Sequence, residues 1–592
     1  MKKIKGIAAS PGIVIGRAYV LHSESFAIFP RTIAEQEVEG EIQRFRQAIE
    51  DSKREILSVK EQFQKTDSSG LSEIFDTHIH LLDDLVLTSE TIKGVREQRN
   101  NVEYVFSQKV REIEQKFSAV PDEYLRQRIQ DIEAVSGRVL RKLLRRERQA
   151  LSKLNEKVVV ISRDLTPADT ASMDRENVLA FATAVGGRTS HTAIMAKALE
   201  IPAVVGAQDI TRHVRNEEVV IIDGLQGLVI IDPDEQTLNE YQIRRERFLE
   251  SERALEQLRH LPAQTLDGIT VELLANIDFP EEVELAIGHG AQGIGLLRTE
   301  FLFLNRTLPP TEDEQTEAYS RVAKMIHPYP VTIRTLDIGG DKLLGGHSRY
   351  REANPFMGCR AIRFCLEHPE IFKPQLRAIL RASAHGRVKL IFPMITGLAE
   401  LFRAKAVLEE AKEELRAEGV PFDPDMQIGV MIETPSAAIT ADLLARESRF
   451  FSIGSNDLIQ YSLAIDRVNE RIAHLYEPTH PAILRMLKQV VDSAEKMGVS
   501  VSVCGEIAGD LLVAMVLVGL GVKELSMAAT AIPEVKKLIR SVSFKDMSCL
   551  ASELLGLDTG EAVRKRLQQA VQELVPNYGD FELFGWAKSQ LS

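Results

Sequence analysis

Residues 428–456 read IGVMIETPSAAITADLLARESRFFSIGSN. An apolar run opening at Ile428 ends on Glu433. A stretch of helical spacing follows, and a second apolar run opens at Phe450 and ends on Asn456. The same alternation recurs on both sides. The strand candidates are Val271–Asn276, Gly293–Arg298, Val331–Asp337, Val388–Met394, Ile428–Glu433, Phe450–Asn456, Ser500–Cys504 and Glu524–Met527. Helical patterns such as Leu398–Glu418 and Ile483–Met497 separate them. About eight strand–helix units over roughly 250–330 residues predict a (β/α)8 TIM barrel. An open doubly wound sheet is the competing architecture.

Function in such a barrel sits where the strands end. The ends here are Asn276, Arg298, Arg334 to Asp337, Glu433, Asn456-Asp457 and Cys504-Gly505-Glu506. Polar residues commonly end strands, but Ser, Gly and Lys would serve for that. Arginines, carboxylates, an asparagine and a cysteine suit one kind of ligand. Arg298 and Arg334 can grip a phosphate or carboxylate in bidentate fashion, and Arg467 adds a third fork. Glu433 and Asp457 can hold Mg2+, which takes one or two carboxylates and completes its shell with substrate oxygens and water. The expected ligand is small, multiply anionic and metal-bound. Cys504 in an apolar strand would ordinarily be a small buried hydrophobe. At the strand's end its thiol can instead give a proton to a carbanion-like centre, as an enolate product requires.

The remainder of the chain divides by periodicity. Ile4 to Leu21 reads as short strands around a Pro11-Gly12 turn. From about Thr32 to Arg146 glycine is scarce and apolar residues recur at helical spacing, as in Ile42, Phe45, Ile49, Ile56 and Val59. Breaks at Asp67–Gly70 and Pro121-Asp122 divide this part into several helices of bundle type. Strand signals return at Val158–Ile161, Val178–Phe181, Ala203–Val205, Val219–Ile222 and Leu228–Ile231. Glu235 to Leu258 reads as a charged linker helix, polar on most of its turns. The domains expected are 1–30 with 148–232 (α/β), 31–147 (inserted helical bundle), 233–261 (linker helix) and 262–592 (barrel).

Hydrophobic residues make up 44% of the 592, ample for several cores. The net charge of -13 argues against non-specific nucleic-acid binding. Four cysteines, Cys359, Cys365, Cys504 and Cys549, form no C-x-x-C pair or zinc spacing and fit a reducing compartment. The basic N-terminus is followed by Pro11 and Gly12, a poor signal peptide. No run approaches the ~20 apolar residues that span a bilayer. A cytoplasmic protein without membrane insertion is expected.

A second site is Gly186–Lys197, GGRTSHTAIMAK. Two glycines before a helical run expose backbone N–H groups, and a helix N-terminus favours anions. Arg188, Thr189, Ser190 and Thr192 add donors around His191. A neutral imidazole is a competent nucleophile toward phosphorus, and such donors would stabilise the transferred charge. His385, His474 and His480 lack such surroundings and are read as structural.

Gly186–Gly206 (GGRTSHTAIMAKALEIPAVVG) resembles the phosphohistidine signature of phosphoenolpyruvate-utilising enzymes, and Phe451–Arg467 (FSIGSNDLIQYSLAIDR) with Val503–Asp510 (VCGEIAGD) resembles their second signature. The resemblance to enzyme I of the phosphoenolpyruvate:sugar phosphotransferase system runs essentially end to end. It includes GIAASPGIVIG (Gly6–Gly16), IFDTHIHLLDD (Ile74–Asp84), GIGLLRTEFLFLNR (Gly293–Arg306) and NPFMGCRAIR (Asn354–Arg363). These motifs are long and specific. The resemblance implies a phosphoenolpyruvate-protein phosphotransferase phosphorylated on His191. Arg298, Arg334, Asn456, Asp457 and Arg467 would bind phosphoenolpyruvate, Glu433 and Asp457 would ligate Mg2+, and Cys504 would protonate the enolate to give pyruvate. Arg360 would assist at the phosphate. The helical insert would dock a small histidine phosphocarrier protein, and the barrel would form a homodimer.

Rival readings differ in what they need. A pyruvate dikinase or phosphoenolpyruvate synthase requires a further nucleotide-binding domain, for which this chain offers no room. A nitrogen-regulatory paralogue of enzyme I would typically carry an extra N-terminal sensory domain, and the match begins at residue 6. An idle signalling scaffold would not need the arginine, carboxylate and cysteine set. A pyruvate lyase or aldolase barrel leaves His191 unexplained.

Overall fold

The computed structural model describes the chain except residues 22–27, 66–78, 80, 83–84, 119–122, 145–155, 166–172, 174–176, 188–189, 200, 304–307, 340–353, 468, 470 and 576–592. It forms two units, Met1–Glu250 and Ser251–Ser592.

The first unit is built on an eight-stranded sheet. Its strands are β1 (Lys2–Lys5), β2 (Ile7–Ser10), β3 (Ile13–Leu21), β4 (Val158–Ser162), β5 (Val178–Thr183), β6 (Ala203–Val205), β7 (Val219–Asp223) and β8 (Leu228–Ile231). Their order is β1-β8-β7-β3-β4-β5-β6-β2. The run β3-β4-β5-β6 is parallel, and the strands outside it join antiparallel. A parallel strand covered on both faces needs a continuous apolar run, which is why β4 reads VVVIS and is buried throughout. The N-terminal strands share this sheet with β4–β8, and among the described residues four long helices lie between β3 and β4 in sequence: Val38–Lys65, Leu85–Gln98, Val102–Ser118 and Glu123–Leu144. Ile42, Phe45, Ile49 and Ile56 face one core with Val105, Phe106, Val135 and Val139, and the Phe45 and Phe106 rings lie 5.2 Å apart. The side chain of Val59 and the breaks at Asp67–Gly70 and Pro121-Asp122 fall outside the described residues.

The helix Glu235–Gln257 is less uniformly polar than its charge content predicts. Tyr241 and Phe248 are buried in the part that belongs to the first unit, and Ser251 and Leu255 in the part that belongs to the second. Within the first unit Arg244 pairs with the fully buried Asp223 at 3.2 Å, and its guanidinium stacks 4.6 Å over the Tyr241 ring.

The second unit contains the expected barrel. Its strands are β9 (Glu272–Ile277), β10 (Ile294–Leu297), β11 (Pro330–Arg334), β12 (Arg387–Phe392), β13 (Gln427–Ile432), β14 (Phe450–Ile453), β15 (Ser500–Val503) and β16 (Glu524–Met527). Every neighbouring pair is parallel, and β16 closes onto β9 through Glu524↔Glu272 to Met527↔Ala275. Parallel strands require long crossovers, which the helices supply. Several strands end earlier than the apolar runs suggest. Asp337, Glu433, Asn456 and Cys504 lie just past the last ladder residue. Leaving the ladder frees their side chains to turn into the mouth. Among the described residues no helix is long and apolar enough to cross a membrane.

Candidate active site

The carboxyl ends of β10 and β11 deliver two arginines. Arg298 pairs with Asp278 at 2.9 Å and is half-exposed. Arg334 is 8% exposed. Its Nη2 donates to Glu300 at 3.1 Å, and its Nη1 pairs with Asp337 at 2.8 Å. Its Nε is buried without a hydrogen-bond partner among the described residues. Burial opposes the Arg334 charge, but Glu300, Asp337 and Glu433 together hold it firmly protonated. Arg360 enters from the loop ahead of the helix Ile362–Glu367 and pairs with Asp337 at 2.7 Å, with Asp457 at 3.8 Å.

The carboxylates of the mouth crowd one another. Glu433 is 1% exposed and accepts the Met394 backbone N–H. Burial, then the charges of Asp337 and Asp457, push its carboxyl well above the ordinary range, against the pull of Arg334. Gly454 is required beside it, because a Cβ there would lie 2.7 Å from Glu433 Oε2. A buried carboxyl disfavoured by two neighbouring acids is a place where a divalent cation relieves repulsion, so Glu433 and Asp457 fit a Mg2+ pair that leaves further positions to substrate and water.

Cys504, just past β15, is 4% exposed and packs with Leu296, Ile391, Met431 and Phe450. Its Sγ lies 3.6 Å from the Ile453 carbonyl. Burial raises the thiol's pKa, and Arg334 and Arg298 only partly offset that, so it is held as S–H. A proton donor must be protonated, as this thiol is.

Asn456 is tied to Glu506: its Oδ1 accepts the Glu506 N–H at 3.1 Å, and its Nδ2 donates to the Glu506 carboxylate at 3.4 Å. Gly505 makes that approach possible, since a Cβ there would collide with Ser455 Oγ. Arg467 follows the helix Ser455–Leu463 and is exposed. Burial pushes the nearby Tyr476 phenol up, with Glu506 adding to that and Arg467 opposing it. Ion pairs join Arg334, Asp337, Arg360 and Asp457 directly, and Glu433, Asn456 and Cys504 follow neighbouring strands at the same end of the barrel.

Three further residues support the site, of which Asn276 and Asp337 were already marked as strand ends and Glu300 was not. Glu300 lies two positions beyond Arg298, Asp337 bridges Arg334 and Arg360, and Asn276 donates to the Cys504 carbonyl at 2.9 Å. Asp337 and Asn276 carried a signal as polar strand ends; Glu300 carried none beyond its place in RTE.

In the first unit β5 leads into Gly186, whose φ of +116° an L side chain rarely adopts. The helix His191–Ala198 follows. Ser190 caps it: its Oγ accepts from the Ala193 N–H at 3.3 Å and donates to the Gly187 carbonyl at 2.8 Å. Thr192 donates to the Leu165 carbonyl at 3.0 Å. These two hydroxyls build the loop, a correction to their expected role as donors to an anion. Arg188, Thr189 and the His191 side chain lie outside the described residues. The helix is held on two sides, with Met195 in the helical-bundle core and Ala193 and Ala196 in the sheet core. His480 caps the helix Pro481–Met497 by accepting the Ala482 N–H at 3.1 Å, a structural role.

Comparison with known proteins shows the family. Models of the phosphoenolpyruvate-utilising enzymes match residues 5–128 (N-terminal), 154–227 (mobile domain) and 252–544 (PEP-binding domain). A phosphoenolpyruvate-protein phosphotransferase of Geobacillus stearothermophilus is 44% identical over 562 residues, 95% of this chain and 97% of the relative. The chain belongs to the phosphoenolpyruvate-protein phosphotransferase family. A family member of Staphylococcus aureus (strain MSSA476) is 43% identical over 577 residues, covering 98% and 99% of the two chains. An NMR solution structure of Enzyme I (nEIt) is 42% identical, covering 42% of this chain and 99% of that one, with a TM-score of 0.36.

Proposed function

We propose that this enzyme transfers the phosphoryl group of phosphoenolpyruvate to its own His191 and then to a small histidine phosphocarrier protein, releasing pyruvate. The observation that carries the reading is a buried guanidinium, Arg334, whose Nε lacks a partner among the described residues, at the same end of the closed parallel barrel as the buried thiol of Cys504. An anion grip beside a carbon acid's proton donor suits an enol phosphate. Family membership supports the same reaction.

In this reading Arg298, Arg334, Asn456, Asp457 and Arg467 hold the substrate, with Arg360 beside its phosphate. The buried Arg334 Nε gains its missing acceptor from a substrate oxygen. Glu433 and Asp457 would hold Mg2+, which supplies charge neutralisation on the phosphate oxygens. A His191 ring nitrogen attacks phosphorus; the P–N bond forms as the P–O bond to the enol breaks. The enolate carbon then takes the Sγ proton of Cys504, and the thiolate is reprotonated from water. Positioning and fixed charge supply most of the catalysis.

Residues 31–147 dock the carrier, 1–30 with 148–232 carry the histidine, 233–261 link, and 262–592 bind substrate and form a homodimer. Seating of Met195 in the bundle core supports a carrier site beside the histidine helix. The chain works in the cytoplasm. The test is incubation with labelled phosphoenolpyruvate and Mg2+. Acid-labile, base-stable label on wild type and none on His191→Ala is expected. Equal labelling of His191→Ala overturns the reading.

A further inference from the structure

The turn that follows β11 is fastened by one carboxylate. Glu300 Oε1 accepts from Arg334 Nη2 at 3.1 Å and from the Asp337 backbone N–H at 2.9 Å. A single oxygen thus holds both ends of the segment Arg334–Asp337. Asp337 in turn pairs with Arg334 through Oδ2 at 2.8 Å and with Arg360 through Oδ1 at 2.7 Å. Two guanidinium groups that would repel one another are kept at a fixed separation by the carboxylate between them. The turn is also held from beneath. Thr299 Oγ1 donates to the Arg334 carbonyl at 3.0 Å, Gln375 Nε2 donates to Thr299 Oγ1 at 3.1 Å, and Gln375 Oε1 accepts the Leu336 N–H at 3.0 Å.

We propose that Glu300 is a positioning residue for phosphoryl transfer, setting the aim of Arg334 directly and of Arg360 through Asp337. The inference rests on the reading of Arg334 as a substrate grip. The side chains of Glu300 and Arg334 are 14% and 10% exposed, so their hydrogen bond is largely desolvated and strong. Glu300 need not touch substrate to matter. A shift of about 1 Å in a gripping group costs on the order of a hundredfold in rate.

Geometry and charge separate cleanly in two variants. Glu300→Gln keeps an acceptor oxygen at the same reach and loses the charge. Glu300→Asp keeps the charge and withdraws the oxygen by one methylene. The measurement is kcat and KM for phosphoenolpyruvate in the full chain with Mg2+, alongside melting temperature. For Glu300→Asp, kcat/KM should fall about a hundredfold, mainly through KM. Glu300→Gln should stay within about fivefold of wild type, since hydrogen-bond geometry survives. Both variants should remain folded, with melting temperatures lowered by similar amounts, since each weakens a largely desolvated hydrogen bond. An unimpaired Asp variant, or a Gln variant as impaired as the Asp variant, overturns the proposal. Wild type that takes no label from phosphoenolpyruvate removes the functional reading and this inference together. Labelled wild type with an unimpaired Asp variant removes this inference alone.

Discussion

Asn276, at the end of β9, donates its Nδ2 hydrogen to the backbone carbonyl of Cys504 at 2.9 Å. It also accepts from Ser526 Oγ at 2.6 Å, so the first strand of the barrel secures the residue beyond the seventh while bonded to the eighth. Asn276→Leu keeps the volume and removes these bonds. Leaving a buried carbonyl unpaired costs roughly 1–3 kcal/mol. Pyruvate release should slow about tenfold, with the KM for phosphoenolpyruvate within about twofold of wild type. An unchanged kcat would show that Cys504 does not depend on this anchor.

Cys504→Ala removes the proton held on Sγ while leaving the arginines untouched. Binding of phosphoenolpyruvate, read by calorimetry on the full chain, should stay within about threefold, and turnover should fall ~10²–10⁴-fold, the usual worth of a general acid. Normal turnover in this variant would remove the proton-donor role.

If Glu433 ligates Mg2+ as proposed, cation binding will be sensitive to pH. Burial, with Asp337 and Asp457 adding to it, raises its carboxyl well above 4.5, and a metal ligand must be deprotonated. The proton therefore competes with Mg2+. Affinity for Mg2+ should weaken as pH falls, beginning at values where ordinary carboxylates are still fully ionised. Calorimetry between about pH 8 and about pH 5 checks this, and a flat profile contradicts it.

Glu534 carries a stability signature of its own. Burial pushes its carboxyl up to about 8, opposed by Lys537. A raised acid binds its proton more tightly folded than unfolded, so its stabilisation is complete below 4.5 and is lost as pH climbs through about 8. Glu534→Gln should melt with wild type near about pH 5 and later than wild type above about pH 8, by on the order of a few kcal/mol. Identical curves at both pH values would contradict the assignment.

The barrel was legible because its signal is local: each apolar run is a few residues long, and its polar terminator stands next to it. Arg298, Arg334, Glu433, Asp457 and Cys504 all carried that mark. What their pairings would be did not show. Asn276 and Cys504 are 228 residues apart, and Glu300 and Arg334 are 34 apart. Such pairings exist only once the barrel closes, and no periodicity announces them. The hydroxyls of Ser190 and Thr192 were misassigned for a related reason: composition cannot tell a cap from a ligand donor. The linker helix was only half read, because charge on most of its surface outweighed Tyr241, Phe248 and Leu255.

That helix has a mechanical consequence. At 23 residues it is a stiff rod of roughly 35 Å. Its early turns are bolted to the end of β7, where Asp223 grips Arg244 and also accepts the Leu225 and Gln226 N–H groups. One carboxylate thus fixes both the turn after β7 and the base of the helix within the first unit, so its loss would loosen the two together.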